Sequence, residues 1–139
     1  MVSFVADTEA VPVEELGKAI RQAAAFLPEG TNVNFVTVDS EDSIELRTYE
    51  RGVEAETLAC GTGAVAAGIV AHLQRGLLFP VVVHVKSGES LRVSGRTEGG
   101  KIKSPTLEGS AHMLFRGKLL YNVETRSIVD WSLKQIETA

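Results

Sequence analysis

Residues 56–77 read ETLACGTGAVAAGIVAHLQRGL, and the fold is decided by how this stretch is read. From Gly63 to Ala71 it contains no charged or large polar side chain. A surface helix shows a polar face every third or fourth residue, and this one does not. The stretch therefore predicts a helix buried on all sides. Its small residues, Ala64, Ala66, Ala67, Gly68 and Ala71, allow other backbone to come close. Polarity returns at His72, Gln74 and Arg75, and Gly76 is placed to cap the C-terminus. Such a helix has about 14 residues and a length of about 20 Å, enough to thread a small domain.

The start of this helix carries the chemistry. Cys60-Gly61-Thr62-Gly63 sets the only thiol of the chain beside the unpaired backbone N–H groups of a helix N-terminus. The two glycines let a ligand approach the backbone closely. Such an end attracts anions, a substrate carboxylate among them, and favours thiolate over thiol. A lone cysteine is ordinarily a small buried hydrophobe. The glycine flanks and the helix-start position argue for a reactive one here.

Outward from the helix, the N-terminal side predicts a strand over Val2–Val5 and a polar turn at 7–10. A helix then opens at Pro12, with Glu14 and Glu15 in its first turn. Leu16, Ala19, Ile20, Ala23 and Ala24 recur at helical spacing, so that face is expected to pack inward. The helix must stop before Pro28. Val33–Val38 and Ser43–Thr48 form a hairpin candidate, the second strand alternating like a half-exposed one. On the C-terminal side, Val81–Val85 is a β-branched strand. Leu91–Ser94 follows, then a turn at Arg96–Gly100 and a short strand at Lys101–Ser104. Two more strands, His112–Arg116 and Lys118–Val123, are expected to join at Gly117. In the tail from Thr125, Ile128, Trp131 and Ile136 suggest a short packed helix. Short strands with tight turns around one apolar helix predict an α+β fold, a curved sheet wrapped round that helix.

Composition sets limits. The 139 residues, 44% of them hydrophobic, suit one globular domain with a real core. A net charge of −4 gives no basic footprint for nucleic acid and no polybasic membrane patch. No apolar run approaches the ~20 residues of a membrane span, and Met1 leads straight into strand-like sequence rather than a signal peptide. One cysteine excludes an internal disulfide framework and agrees with a reducing cytoplasm. The run 95–102 nearly spells a phosphate-binding loop but lacks the Ser/Thr that would hold magnesium, and Pro105 follows instead of a helix. His72, His84 and His112 share no ligand spacing with each other or with Cys60, so no metal site is expected.

Tyr49-Glu50-Arg51-Gly52-Val53-Glu54-Ala55-Glu56-Thr57-Leu58-Ala59-Cys60-Gly61-Thr62-Gly63 resembles the second cysteine motif of diaminopimelate epimerases, of the form YERGxxxETLACGTG. Val13–Gly17 and the loop from Pro28 to Phe35 also look like that family's second half, and the resemblance runs over roughly residues 1–120. It implies that each half of the enzyme is a mixed barrel around a central helix. It also implies a cofactor-independent epimerase acting on diaminopimelate, with Cys60 as the acid/base of one half. An amino-acid substrate needs a carboxylate for its ammonium and a guanidinium or N–H set for its carboxylate. The resemblance gives these roles to Glu50 and Arg51, with Gly61 and Thr62 offering backbone N–H groups to the α-carboxylate. Asn32 matches a further substrate contact.

The chain departs from the family in one respect that matters. Epimerisation needs two bases on opposite faces of one carbon, and the family supplies one cysteine from each of two halves. Only the second half is matched here. The first-half cysteine motif is absent, as is the Asn-Pro-His segment expected just before Met1. A lone monomer is thus expected to be inactive, as the C-terminal domain awaiting an N-terminal half. Two alternatives stand beside this. A homodimer related to proline racemases could pair two copies of Cys60, or the chain could be a non-catalytic amino-acid-binding or protein-interaction domain.

Overall fold

The computed structural model describes residues 1–135, with side chains through residue 133. Two compact units divide the chain, Met1–Gly109 and a second beginning at Ser110.

The first unit is an α+β fold built on a seven-stranded mixed sheet. Its strands are β1 (Val2–Phe4), β2 (Val33–Val38), β3 (Ser43–Glu50), β4 (Ala55–Thr57), β5 (Val81–Val85), β6 (Ser90–Glu98) and β7 (Lys101–Glu108). They run in the order β1-β2-β3-β5-β6-β7, with β4 paired to the C-terminal end of β3. β1–β2 and β3–β5 are parallel, and the other pairs antiparallel. The helix read from residues 56–77 is α2 (Gly61–Arg75), which touches β1, β2, β3, β5, β6 and β7 as the sheet curls around it. Gly76, in the left-handed region at φ 76°, ends it and donates its N–H to the His72 carbonyl.

Alternation along β2 and β3 sends side chains to two covered faces. Val36, Ile44 and Leu46 meet Ala64, Ala67 and Ala71 of α2, together with Val81, Val83 and Val93. On the opposite face Val33, Phe35 and Tyr49 pack with Val13 of the helix α1 (Val13–Arg21). Both faces being covered explains why β2 reads as a nearly continuous apolar run. It also corrects the half-exposed reading of β3: between Ser43 and Tyr49 only Glu45 is exposed.

Four other expectations change. α2 is fully buried along one stripe only, Gly63, Ala64, Ala67, Gly68 and Ala71, while Val65, Ala66, Ile69 and Val70 are half-buried. α1 turns in Val13, Gly17 and Ile20, leaving Leu16 and Ala19 exposed, and it ends before Ala23 and Ala24, which are exposed as well. A Cβ at Gly17 would collide with Tyr49, so glycine, not leucine, marks the contact side. The turn expected at Arg96–Gly100 is narrower: β6 and β7 are joined by Gly99-Gly100, at φ 57° and 73°, the two positive values that a tight I′ hairpin turn requires. β7 then continues through Pro105, which an edge strand tolerates.

The second unit is an antiparallel ribbon of β8 (Phe115–Asn122) and β9 (Ser127–Gln135). Gly117 lies inside β8, not at a joint between two strands. A Cβ there would press on the Ser132 carbonyl at 2.9 Å, so the missing side chain lets the strands sit close. Ile128 and Trp131 belong to β9 and not to a helix; Ile136 lies outside the described residues.

Candidate active site

Cys60 is the N-cap residue of α2, in extended conformation at φ −131°, and its carbonyl accepts the Ala64 N–H at 2.8 Å. It is 5% exposed. The N–H groups of the first helical residues have no intrahelical acceptor, so Gly61, Thr62 and Gly63 present donors at this end. Two polar side chains reach the sulfur: Thr62 Oγ1 lies 3.5 Å from Sγ, and Asn32 Nδ2 donates to it at 3.6 Å.

Asn32 precedes β2 and is held on its other side. Its Oδ1 accepts the Arg51 backbone N–H at 2.9 Å, which leaves Nδ2 turned toward the thiol. Arg51 begins the turn between β3 and β4, and its guanidinium donates to the Glu29 carbonyl at 3.2 Å. Asn32, Arg51, Thr62 and Gly63 share a hollow of about 310 Å³, completed by Thr31, Asn34 and Ala66 among others. An open, polar space of this kind, bordered by a guanidinium and a helix start, suits a small anionic or zwitterionic ligand.

The structure brings together some of the expected site residues and not others. Asn32, Arg51 and Thr62 line the hollow, and Cys60 adjoins it through its contacts with Asn32 and Thr62. Glu50 points to the α2 face of β3, alongside Thr48, but its carboxylate accepts the Thr57 hydroxyl at 3.0 Å and does not line the hollow. Gly61 is exposed at the helix start, facing Leu107, and is also outside the hollow's lining.

A family model for diaminopimelate epimerase matches residues 1–113. The chain belongs to the diaminopimelate epimerase family. It is 51% identical over 117 residues to the diaminopimelate epimerase of Aquifex aeolicus (strain VF5), covering 83% of this chain and 40% of that protein. Identity to the diaminopimelate epimerase of Hydrogenobaculum sp. (strain Y04AAS1) is 46% over 126 residues, 88% of this chain and 43% of the relative. For that of Chlorobaculum tepidum it is 40% over 119 residues, 85% and 45%. The chain thus spans less than half the length of these relatives. A crystal structure of a Bacillus anthracis phenazine biosynthesis protein of the PhzF family aligns with a TM-score of 0.46 and 25% identity, over 73% of this chain and 32% of that one.

Some groups around this diaminopimelate-epimerase-family site escaped the reading of the sequence. Asn34, 2% exposed, donates to the Met1 carbonyl at 2.9 Å and accepts the Thr48 hydroxyl at 2.9 Å. This polar pair presses on the helix start, for a Cβ at Gly63 would collide with Asn34 Oδ1 and lie 3.3 Å from Thr48 Oγ1. The second asparagine of Asn-Val-Asn thus braces the first turn of α2 from beneath. Strand alternation places Asn34 on the face of Val36, but only the fold brings that face under Gly63. Glu56, inside the cysteine motif, serves the other side of the sheet. Arg47 grips it by two bonds of 2.6 and 2.8 Å and reaches the Thr8 carbonyl at 2.9 Å. The guanidinium bonds hold the Glu56 carboxyl below its ordinary value and raise Arg47. Among the described residues, no helix is long and apolar enough to cross a membrane.

Proposed function

We propose that this chain is the C-terminal half of a cofactor-independent diaminopimelate epimerase, supplying one of two acid/base cysteines that interconvert LL- and meso-diaminopimelate. The observation that carries the reading is the setting of Cys60. A thiol sits at the start of a buried helix, touched by Asn32 and Thr62, beside a polar hollow that Arg51 lines.

In this reading the substrate's α-carbon lies against Sγ. Thiolate on one face takes the α-proton, and the thiol of the second cysteine, on the missing half, delivers a proton to the opposite face. The turnover ends with the two sulfurs in exchanged protonation states and no net proton change. Charge that develops on the carboxylate beside the carbanion is met by the N–H groups of Gly61 and Thr62 and by the positive end of α2. Asn32, Arg51 and Glu50 bind the polar ends of the substrate. Glu50 does so after exchanging the Thr57 hydroxyl for an ammonium. The second cysteine lies on the other half, so in this reading the complete site forms between halves. The reading places the protein in the cytoplasm, in lysine and cell-wall precursor synthesis.

The test is α-proton exchange into LL- and meso-diaminopimelate in D₂O, with the chain and with Cys60→Ala. The chain alone is expected to exchange nothing, and addition of an N-terminal half from a relative to restore exchange that Cys60→Ala abolishes. Exchange that survives Cys60→Ala would overturn the role of Cys60, and no exchange with any added half would overturn the reading and leave a binding domain.

A further inference from the structure

We propose that Arg21 and Glu54 are positioning residues that hold the Asn32–Arg51 wall of the hollow against Cys60. Neither touches the hollow. Arg21, in the last turn of α1, sends Nη2 to Glu54 Oε1 at 2.7 Å. The same Glu54 oxygen accepts the Gly52 N–H at 2.9 Å, and the Glu54 N–H donates to the Glu50 carbonyl at 2.9 Å, so the pair closes the 51–54 turn. The guanidinium also rests on the backbone of Gly30, where an added Cβ would lie 2.9 Å from Nη1. The ion pair therefore ties the end of α1 to the turn leading out of Arg51 and sets the guanidinium against the loop leading into Asn32. The Arg51 N–H on Asn32 Oδ1 then fixes which way the amide faces, and Nδ2 meets the sulfur.

Two local costs mark this pair as more than a surface contact. Arg21 Nε is buried with no hydrogen-bond partner among the described residues, and a donor taken out of water unpaired is unfavourable. Glu54 sits at φ 62°, in the left-handed region that residues other than glycine avoid. Strain and an unpaired donor gathered beside a site suggest that the surrounding geometry is being held in place. Residue 54 could have been a glycine with an easier backbone, but glycine would forfeit the carboxylate.

The decisive variant is Glu54→Gly, which suits the left-handed backbone and removes the side chain with its carboxylate; Arg21→Gln and Arg21→Lys accompany it. In the full chain, ¹⁵N NMR reads hydrogen exchange at the Arg51 amide and the two Asn32 side-chain amide protons. In Glu54→Gly and Arg21→Gln, Arg51 exchange should rise about tenfold and the Asn32 signals should move, with the Ala67 amide in α2 unchanged. Arg21→Lys should recover part of the difference. Wild-type Arg51 exchange and Asn32 signals in Glu54→Gly would overturn the proposal. So would global unfolding of that variant, which would make the pair a stability element. If Arg21→Gln unfolds, Glu54→Gly decides alone. A second arm rests on the epimerase reading: with an added N-terminal half, Glu54→Gly should lower kcat for α-proton exchange about tenfold and shift KM little. Absence of exchange in every reconstituted sample, wild type included, would count against the epimerase reading and leave the NMR result standing. An unchanged kcat in an active sample would count against the positioning role.

Discussion

Arg47 and Glu56 show how a residue inside a reactive-looking motif can serve the scaffold. The pair is mostly withdrawn from water, at 12% and 15% side-chain exposure, and joined by two bonds. Arg47 continues to the Thr8 carbonyl, and the Glu56 N–H donates to Glu14 Oε1 at 2.8 Å. The ion pair thus fastens β3 and β4 to the 8–11 loop, and the Glu56 amide adds a separate tie to α1. Because the folded state holds the Glu56 carboxyl below its ordinary 4.5, the unfolded chain takes up the proton first as pH falls. The stabilisation is complete above about pH 4.5 and is lost as pH drops through the lower folded value. Glu56→Gln should cost about 1–3 kcal/mol at pH 7. Urea melts at pH 7 and near pH 3.5 should show the gap between wild type and variant closing in acid. A gap that stays constant would mean that the charge contributes nothing. Cys60, Arg51, Asn32 and Thr62 were legible because a contiguous motif and a loop asparagine carry them. Arg21, Asn34 and Glu54 were not, since their roles come from proximity across the fold: Asn34 meets Gly63, 29 positions away in the sequence, only once β2 lies beneath α2.

At the scale of elements, α1 begins where expected but ends at Arg21, short of Ala23 and Ala24, and is turned differently. Its larger apolar residue, Leu16, is 41% exposed, whereas Gly17 is buried against Tyr49. Hydrophobic periodicity weighs side chains by size and so cannot see a contact made by leaving one out. β4 was missed for a related reason: three residues, Ala55–Thr57, are too short to show a period and become a strand by pairing with β3. α2 was legible because it lacks polar residues over a long run, though its cover is heavier on one side. The role of Gly17 makes a prediction. Alanine at an ordinary helix position gains about 1 kcal/mol over glycine. Here a Cβ would drive into a ring that is 2% exposed, and overpacking of a core costs about 1–3 kcal/mol. Gly17→Ala should therefore destabilise the protein in urea melts and speed amide exchange in α1 before it does so in α2. A rise in stability would show that Tyr49 gives way freely.

At the scale of the molecule, the first unit is self-sufficient in the terms that matter for folding. Both buried clusters, every rung of the seven-stranded sheet, both helices and the hollow beside Cys60 lie within Met1–Gly109. Among the described residues, the ribbon of β8 and β9 bonds as a sheet only to itself. A two-stranded hairpin is marginal alone in water, because it has too little apolar area to offset the ordering of its backbone. A chain ending at Gly109 should accordingly keep the cooperative urea transition of the full chain to within about 1 kcal/mol. It should also keep the NMR fingerprint of α2 and β2. In the full chain, amides of β8 and β9 should exchange far faster than those of β2, β3 and β5, since a ribbon paired only with itself opens without breaking the larger sheet. Loss of the cooperative transition on truncation would show that the ribbon is part of the folding unit. Slow exchange in β8 and β9 that becomes slower still when an N-terminal half is added would identify the ribbon as an element completed by that half.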